Sequence, residues 1–260
     1  MLEKIRYGWT LGVLLINAIT VCPVQRPDST PRHRLLYLTQ AAGFQHAALP
    51  LSEKVVRELG EASGAFAVTV TRDCSVLTAE NLKQYDAVFF FTTGELPLSE
   101  SQKAALLDFI RSGKGFIGVH SAADTLYGWP EYGEMLGGYF DGHPWRQEVV
   151  VRVEDRFHPA TRHLPESFRI TDEIYQFKNW SRDKVHVLLS LDVSSVDLTR
   201  PGVKRTDKDF ALAWCRRYGR GRVFYTAFGD DPAVWQDERF RKLLLGGIRW
   251  ALGQLPDTVK

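Results

Sequence analysis

In an open parallel sheet, ligands bind beyond the carboxyl ends of the strands, so the residues that follow short apolar runs are the first place to look for chemistry. Three such segments stand out. Gly43-Phe44-Gln45-His46 follows a run ending at Thr39, Thr92-Thr93-Gly94-Glu95 follows Phe91, and His120-Ser121-Ala122-Ala123-Asp124 follows Val119. In Gly118-Val119-His120-Ser121-Ala122, small residues flank a central histidine, the pattern by which a strand turns sharply into a helix and exposes the middle side chain. The exposed position is then His120, with Ser121 one step away. A histidine at a helix start feels the helix's positive end and stays neutral, ready to move protons near neutral pH. His46 could join it or cap a neighbouring backbone, and Asp124 could add a carboxylate or N-cap the helix after the elbow.

The elements that must hold these residues are readable from the apolar pattern. Runs at 35–39, 66–70, 87–91 and 115–119 read as strands, and 87–91 is continuous enough to be buried on both faces. Between them, Leu51, Val55, Val56 and Leu59 have helical spacing. Ser99 with Gln102 forms a capping-box signature ahead of an amphipathic helix over 104–110, closed by Gly113. This alternation implies a parallel sheet with helices on both faces. The second half differs: 147–153, 168–177, 185–191 and 211–218 alternate or are rich in aromatics, with few helices between them. They read as strands that extend the sheet or form an antiparallel lobe. A strand over 222–227 and a helix over 240–252 close one α/β domain.

Composition sets the outer limits. With 44% apolar and 25% charged residues in 260, the chain can build a sizeable core, which excludes a disordered, collagen-like or disulfide-dense protein. A net charge of +2 gives no sign of nucleic-acid binding. Cys22, Cys74 and Cys215 lie far apart without metal-ligand spacing, and a Cys74–Cys215 disulfide stays open. Lys4 and Arg6 precede a thirteen-residue apolar run over 9–21, with a small-x-small site at Ala18-Ile19-Thr20. The segment 1–22 therefore reads as a signal peptide or N-terminal anchor, implying an exported, periplasmic or membrane-anchored protein. Residues 23–33, with three prolines, read as a linker, and 254–260 as a tail.

The chain resembles the ThuA-like (trehalose utilisation) family, over nearly all of its length after Arg34. The matching stretches are 43–46, GKGFIGVHSAADT near His120, PEYGEMLGGYFDG followed by His143-Pro144, His158-Pro159-Ala160-Thr161, TDEIYQF around Glu173 and Tyr175, GRGRVFYTAFG, and GGIRWALG at the end. The resemblance implies a flavodoxin-like, class I glutamine amidotransferase-like fold for 34–253, with added β-strands in the second half. Amidotransferases of this architecture need an elbow cysteine as nucleophile; here His120 stands there, so the chain is not expected to be a glutaminase. Relatives commonly carry Gly-His-Asp late in the chain, whereas this sequence has Gly229-Asp230-Asp231.

The resemblance gathers His46, His120, His143 and Glu173, with Asp124 and Asp230, into one candidate site. It implies keto-sugar or related carbohydrate chemistry, with His120, His46 and Glu173 catalytic and His143, Asp124, Trp129, Tyr175 and Asp230 meeting the substrate. A neutral histidine or a glutamate could take the acidic hydrogen beside a ketone, leading to isomerisation or elimination without a cofactor. The rival readings are a non-catalytic sugar-binding or scaffold protein, and a metal-dependent hydrolase holding zinc through His46, His120, His143 and Glu173. The expected partner is a small carbohydrate, with a homo-oligomer left open. Among the other candidates, Tyr132, Phe140 and Trp145 read as core, with one or two aromatics on a rim. His158 and His163 read as turn or surface residues, and His186 as packed or solvent-facing. The arginines around 216–222 read as an exposed hairpin turn.

Overall fold

The structure is a computed structural model that describes residues 1–4, 8 and 33–257. The apolar run of the expected leader, most of the linker and the last three residues of the tail lie outside the described residues. The one linker residue described, His33, is the first residue of a strand.

Strand β1 (His33–Leu38) leads to α1 (Leu49–Ser63), β2 (Phe66–Thr71), the short α2 (Ala79–Leu82), β3 (Ala87–Phe90), α3 (Glu100–Arg111) and β4 (Gly115–Val119). The expected capping box starts α3: Ser99 accepts from the Gln102 N–H while the Gln102 side chain accepts from the Ser99 N–H. Every residue of β3 and β4 is buried, as their unbroken apolar sequence requires of strands covered on both faces. The helices form two groups, α1 with α5 and α6, and α2 with α3.

After α4 (Pro130–Leu136) come β5 (Tyr139–Phe140), β6 (Trp145–Val153), β7 (Ser167–Ile174), β8 (Phe177–Lys178), β9 (His186–Leu191), β10 (Ala211–Tyr218) and β11 (Gly221–Thr226). The helices α5 (Pro232–Gln236) and α6 (Glu238–Ala251) complete the chain's regular elements. Among the described residues, nine strands make one sheet in the order β2-β1-β3-β4-β11-β10-β9-β6-β7, and β5 pairs with β8 in a small separate ribbon. The first five in that order are parallel, the doubly wound order of a flavodoxin-like fold. The remaining four each run antiparallel to their neighbour, so β7 points the same way as the parallel strands.

One feature of this extension positions the site. Only the end of β6, Val151 to Val153, pairs with β9, whereas β6 pairs with β7 from Trp145 to Arg152. The free half of the β6–β7 ribbon bends back over the sheet: β7 lies four strands from β11 in the sheet order, yet its Asp172 accepts from the backbone of Gly229 and Asp231 just after β11, which brings the residue pair Arg146 and Glu173 to the carboxyl ends of the parallel strands. Cys74 and Cys215 are both buried and free, so no disulfide joins them. The arginine-rich turn after β10 is exposed at its tip, as expected.

Candidate functional site

The elbow is real, but its side chain is not exposed. His120 adopts a left-handed backbone conformation with φ of 47°, the strained geometry of a sharp strand-to-turn corner. Its carbonyl is pinned by the Tyr225 hydroxyl at 2.7 Å. The ring itself is wholly buried. The chain then makes a single 3₁₀ turn, His120–Ala123, and not the expected α-helix. Burial, followed by the charge of His46, holds the His120 pKa well below its ordinary value, so the helix-end explanation is replaced by desolvation.

The ring's hydrogen bonds settle its tautomer. Nδ1 lies 2.7 Å from the carbonyl oxygen of Ala227, which can only accept, so Nδ1 carries the hydrogen. Nε2 is then the basic nitrogen, and it accepts from the Tyr175 hydroxyl at 2.8 Å. Around the same Nε2 stand Glu173 Oε2 at 3.8 Å and Asp230 Oδ1 at 3.9 Å. His46 Nε2 is also 3.9 Å from Asp230 Oδ1, and the two imidazoles meet edge to face with centroids 4.9 Å apart. His46 is nearly buried, which lowers its pKa to about 4. Both rings are therefore neutral near pH 7.

The carboxylates shift the other way. Burial raises Glu173, with the charge of Asp230 adding to it, and burial raises Asp230. His143, with its side chain 45% exposed, brings Nδ1 to 3.7 Å from Glu173 and lies over Phe140. Asp124 is also raised, first by burial, and accepts from the Tyr127 hydroxyl at 2.6 Å. It ends the turn after the elbow and does not cap the next helix, whose N-cap is Trp129. Trp129 is the expected site residue that is not brought in. It is buried, stacks on Tyr132 and lies beneath Lys103.

Two side chains central to the geometry were not among the expected site residues. Arg146 reaches both acids, Glu173 at 3.3 Å and Asp230 at 3.1 Å, although its side chain is 61% exposed. Asp172 is the second. Its carboxylate accepts from the backbone N–H groups of Gly229 at 2.7 Å, Asp231 at 3.0 Å and Glu173 at 3.0 Å, tying β7 to the turn that carries Asp230. Burial outweighs these donors and pushes its pKa up to about 7. A signal existed: Phe168, Ile170 and Ile174 mark the inward face of β7, and Asp172 occupies the inward position between them.

The loop bearing His46 is held by close approach. Gly94 has φ of 73°, and a Cβ there would lie 2.7 Å from the Gly43 nitrogen. Thr93 Oγ1 donates to the Phe44 carbonyl at 2.7 Å, leaving the Phe44 ring 69% exposed and edge-on to His46. Phe140 packs against Tyr175 and His143, so aromatic rings flank the acids on both sides. A cavity of about 390 Å³ beyond Tyr127 is lined by Tyr139, Lys178 and Asn179. A larger one, about 620 Å³, lies by Arg152 and Arg182, whose charges are already paired with Asp192, Glu154 and Asp209.

The remaining histidines are structural. His158 stands at a turn, one of the two places expected, with its carbonyl accepting from the Thr161 N–H, and is wholly buried: its Nδ1 accepts from the Ala160 N–H, and its Nε2 faces Cys215 Sγ at 3.6 Å. His163 donates to the Arg239 carbonyl, and His186 pairs with Asp155 at 2.8 Å. For a metal, the ligand atoms of His46, His120 and Asp230 lie within 4.8 Å of one another. This set differs from the expected one by including Asp230 in place of His143 and Glu173.

Comparison with known proteins agrees with this architecture. A ThuA-like protein from Bacteroides uniformis ATCC 8492 is 29% identical with a TM-score of 0.73, covering 88% of this chain and 95% of its own. One from Parabacteroides merdae ATCC 43184 is 21% identical with a TM-score of 0.66, covering 88% and 93%. A cytoplasmic protein of Salmonella typhimurium LT2, 13% identical with a TM-score of 0.58 over 84% and 99%, shares the fold. A search of curated proteins finds no match. The sequence model of the ThuA family, described as trehalose utilisation, matches residues 34–251, and the chain belongs to that family.

Proposed function

We propose that this protein is an acid–base enzyme acting on a carbohydrate that carries a ketone, with Glu173 as the group that moves the proton. The observation that carries the reading is the approach of Glu173 and Asp230 to the basic nitrogen of a neutral, buried His120, with Arg146 across both acids. A carboxylate whose pKa is raised by burial is a stronger base and, once protonated, can return the proton. In the step proposed, Glu173 takes the hydrogen from the carbon beside the ketone. The C–H electron pair forms the carbon–carbon double bond, and the carbonyl pair moves onto oxygen, where the Arg146 guanidinium meets the developing charge. Transfer of the hydroxyl proton on that carbon to the enolate oxygen, with return of the abstracted proton to the former carbonyl carbon, moves the ketone one carbon along and completes an isomerisation. Departure of a glycosidic oxygen two carbons away, protonated by His143, completes an elimination.

His46 and His120 remain neutral beside the acids, and Asp124, Tyr175 and His143 line the approach. The exposed Phe44 and the half-buried Phe140 offer flat faces to a sugar ring. The family's description as trehalose utilisation supports the substrate class. Export through the N-terminal segment is part of the proposal, tested by whether residues 1–34 direct a fused reporter out of the cytoplasm.

The test is isotope exchange. Incubated in D₂O with a 3-keto disaccharide, the protein is expected to incorporate deuterium beside the ketone, and Glu173→Gln should slow this by about 10²–10⁴-fold. Absence of exchange or product in the wild-type protein, with the same sugar still raising its thermal stability, would replace the enzyme by a sugar-binding protein.

A further inference from the structure

We infer that His46, His120 and Asp230 form a binding site for a divalent cation of the zinc type. The proposal concerns the same site as the proposed reaction, and only the ion's role in that reaction rests on that reading.

Three observations carry it. The three ligand atoms converge, with Asp230 Oδ1 3.9 Å from Nε2 of each histidine. An ion with bonds of about 2.0–2.1 Å holds tetrahedral ligands roughly 3.4 Å apart, so Asp230 and each histidine need draw in by about half an ångström, and the ligand nitrogens of the two imidazoles, which lie within 4.8 Å of each other, by at most about 1.4 Å. Second, His120 donates its other ring hydrogen to a backbone carbonyl, that of Ala227, the arrangement that orients a metal-bound imidazole and aims its lone pair. Third, two imidazoles and one carboxylate leave at least one coordination position open, as catalytic zinc sites do.

Two contacts must yield. The Tyr175 hydroxyl donates to the nitrogen of His120 that the ion would take, and coordination replaces that bond. Arg146 supplies positive charge to Glu173 and Asp230, and its exposed side chain is free to swing away from them. Glu173 Oε2, 3.8 Å from the same nitrogen, stays next to the ion as the base. The ion's part in the reaction is that of a Lewis acid on the substrate's carbonyl oxygen, which makes the neighbouring hydrogen more acidic.

The experiment uses the full chain stripped with a chelator and titrated with zinc sulfate by calorimetry, with Co(II) as a spectroscopic probe and Mg(II) as a control. One zinc per chain is expected, together with the visible bands of low-coordinate Co(II). His46→Gln and Asp230→Asn should each weaken zinc binding by about 100-fold or more, while Glu173→Gln keeps the stoichiometry of one. Circular dichroism and thermal melts establish that each variant is folded. Failure of the wild-type protein to bind zinc, unchanged affinity in folded His46→Gln and Asp230→Asn, or preference for Mg(II) overturns the site. Because no sugar is present, zinc binding without deuterium exchange would leave the site standing and remove the reaction, and exchange without zinc binding would do the reverse.

Discussion

His158 shows what burial does to a single ring. Its pKa is lowered to about 4 because desolvation disfavours the imidazolium against the Cys215 thiol and the Trp250 ring. The folded state therefore binds its proton only at lower pH than the unfolded chain does. The stability this gives is present above about pH 6.5 and is lost as pH falls toward 4, by on the order of 3 kcal/mol. Urea titrations across that range should show the wild-type protein losing this share while folded His158→Gln does not; parallel pH slopes for the two would refute it. The same desolvation makes His46 and His120 neutral, and neither effect is visible in a one-dimensional sequence. His120 was legible as the elbow residue, since small neighbours on a strand end permit the turn. Its burial was not, because burial depends on Tyr175 and Phe91, which other elements bring over the ring.

At the scale of elements, the site depends on loops held apart from the sheet by close backbone contact. The segment 41–46 rests on Gly94, where left-handed backbone and a 2.7 Å approach leave no room for a side chain. Gly94→Ala is expected to cost about 1–3 kcal/mol and to shift His46, lowering zinc affinity along with the melting temperature. A variant with full stability and full zinc affinity would show that the loop tolerates the displacement. The β6–β7 ribbon is the second such element. Its strands were readable from alternation, but its bend was not, because the bend is required by contact between β7 and the turn after β11, four strands away in the sheet order. Asp172 then locks the bent ribbon to the 229–231 turn through backbone donors. The acidic pair at 172–173 resembles a solvated surface pair until the inward apolar positions on either side are counted.

For the whole molecule, a single core sets which groups solvent can reach. Cys74 and Cys215 are 2% and 0% exposed, and burial raises both thiols. In a Cys22→Ser protein, neither should react with a thiol reagent under native conditions, and both should react once denaturant unfolds the chain; rapid labelling without denaturant would contradict the packing described. The alternation of apolar strands with a capped amphipathic helix was enough to determine a parallel α/β sheet and to put His46 and His120 at its carboxyl edge, because those signals are local. The meeting of Glu173, Arg146 and Asp230 with those histidines joins residues 46, 120, 146, 173 and 230. Only the bending of an antiparallel extension back over the parallel strands decides it, since that depends on long-range pairing and packing that local spacing does not encode.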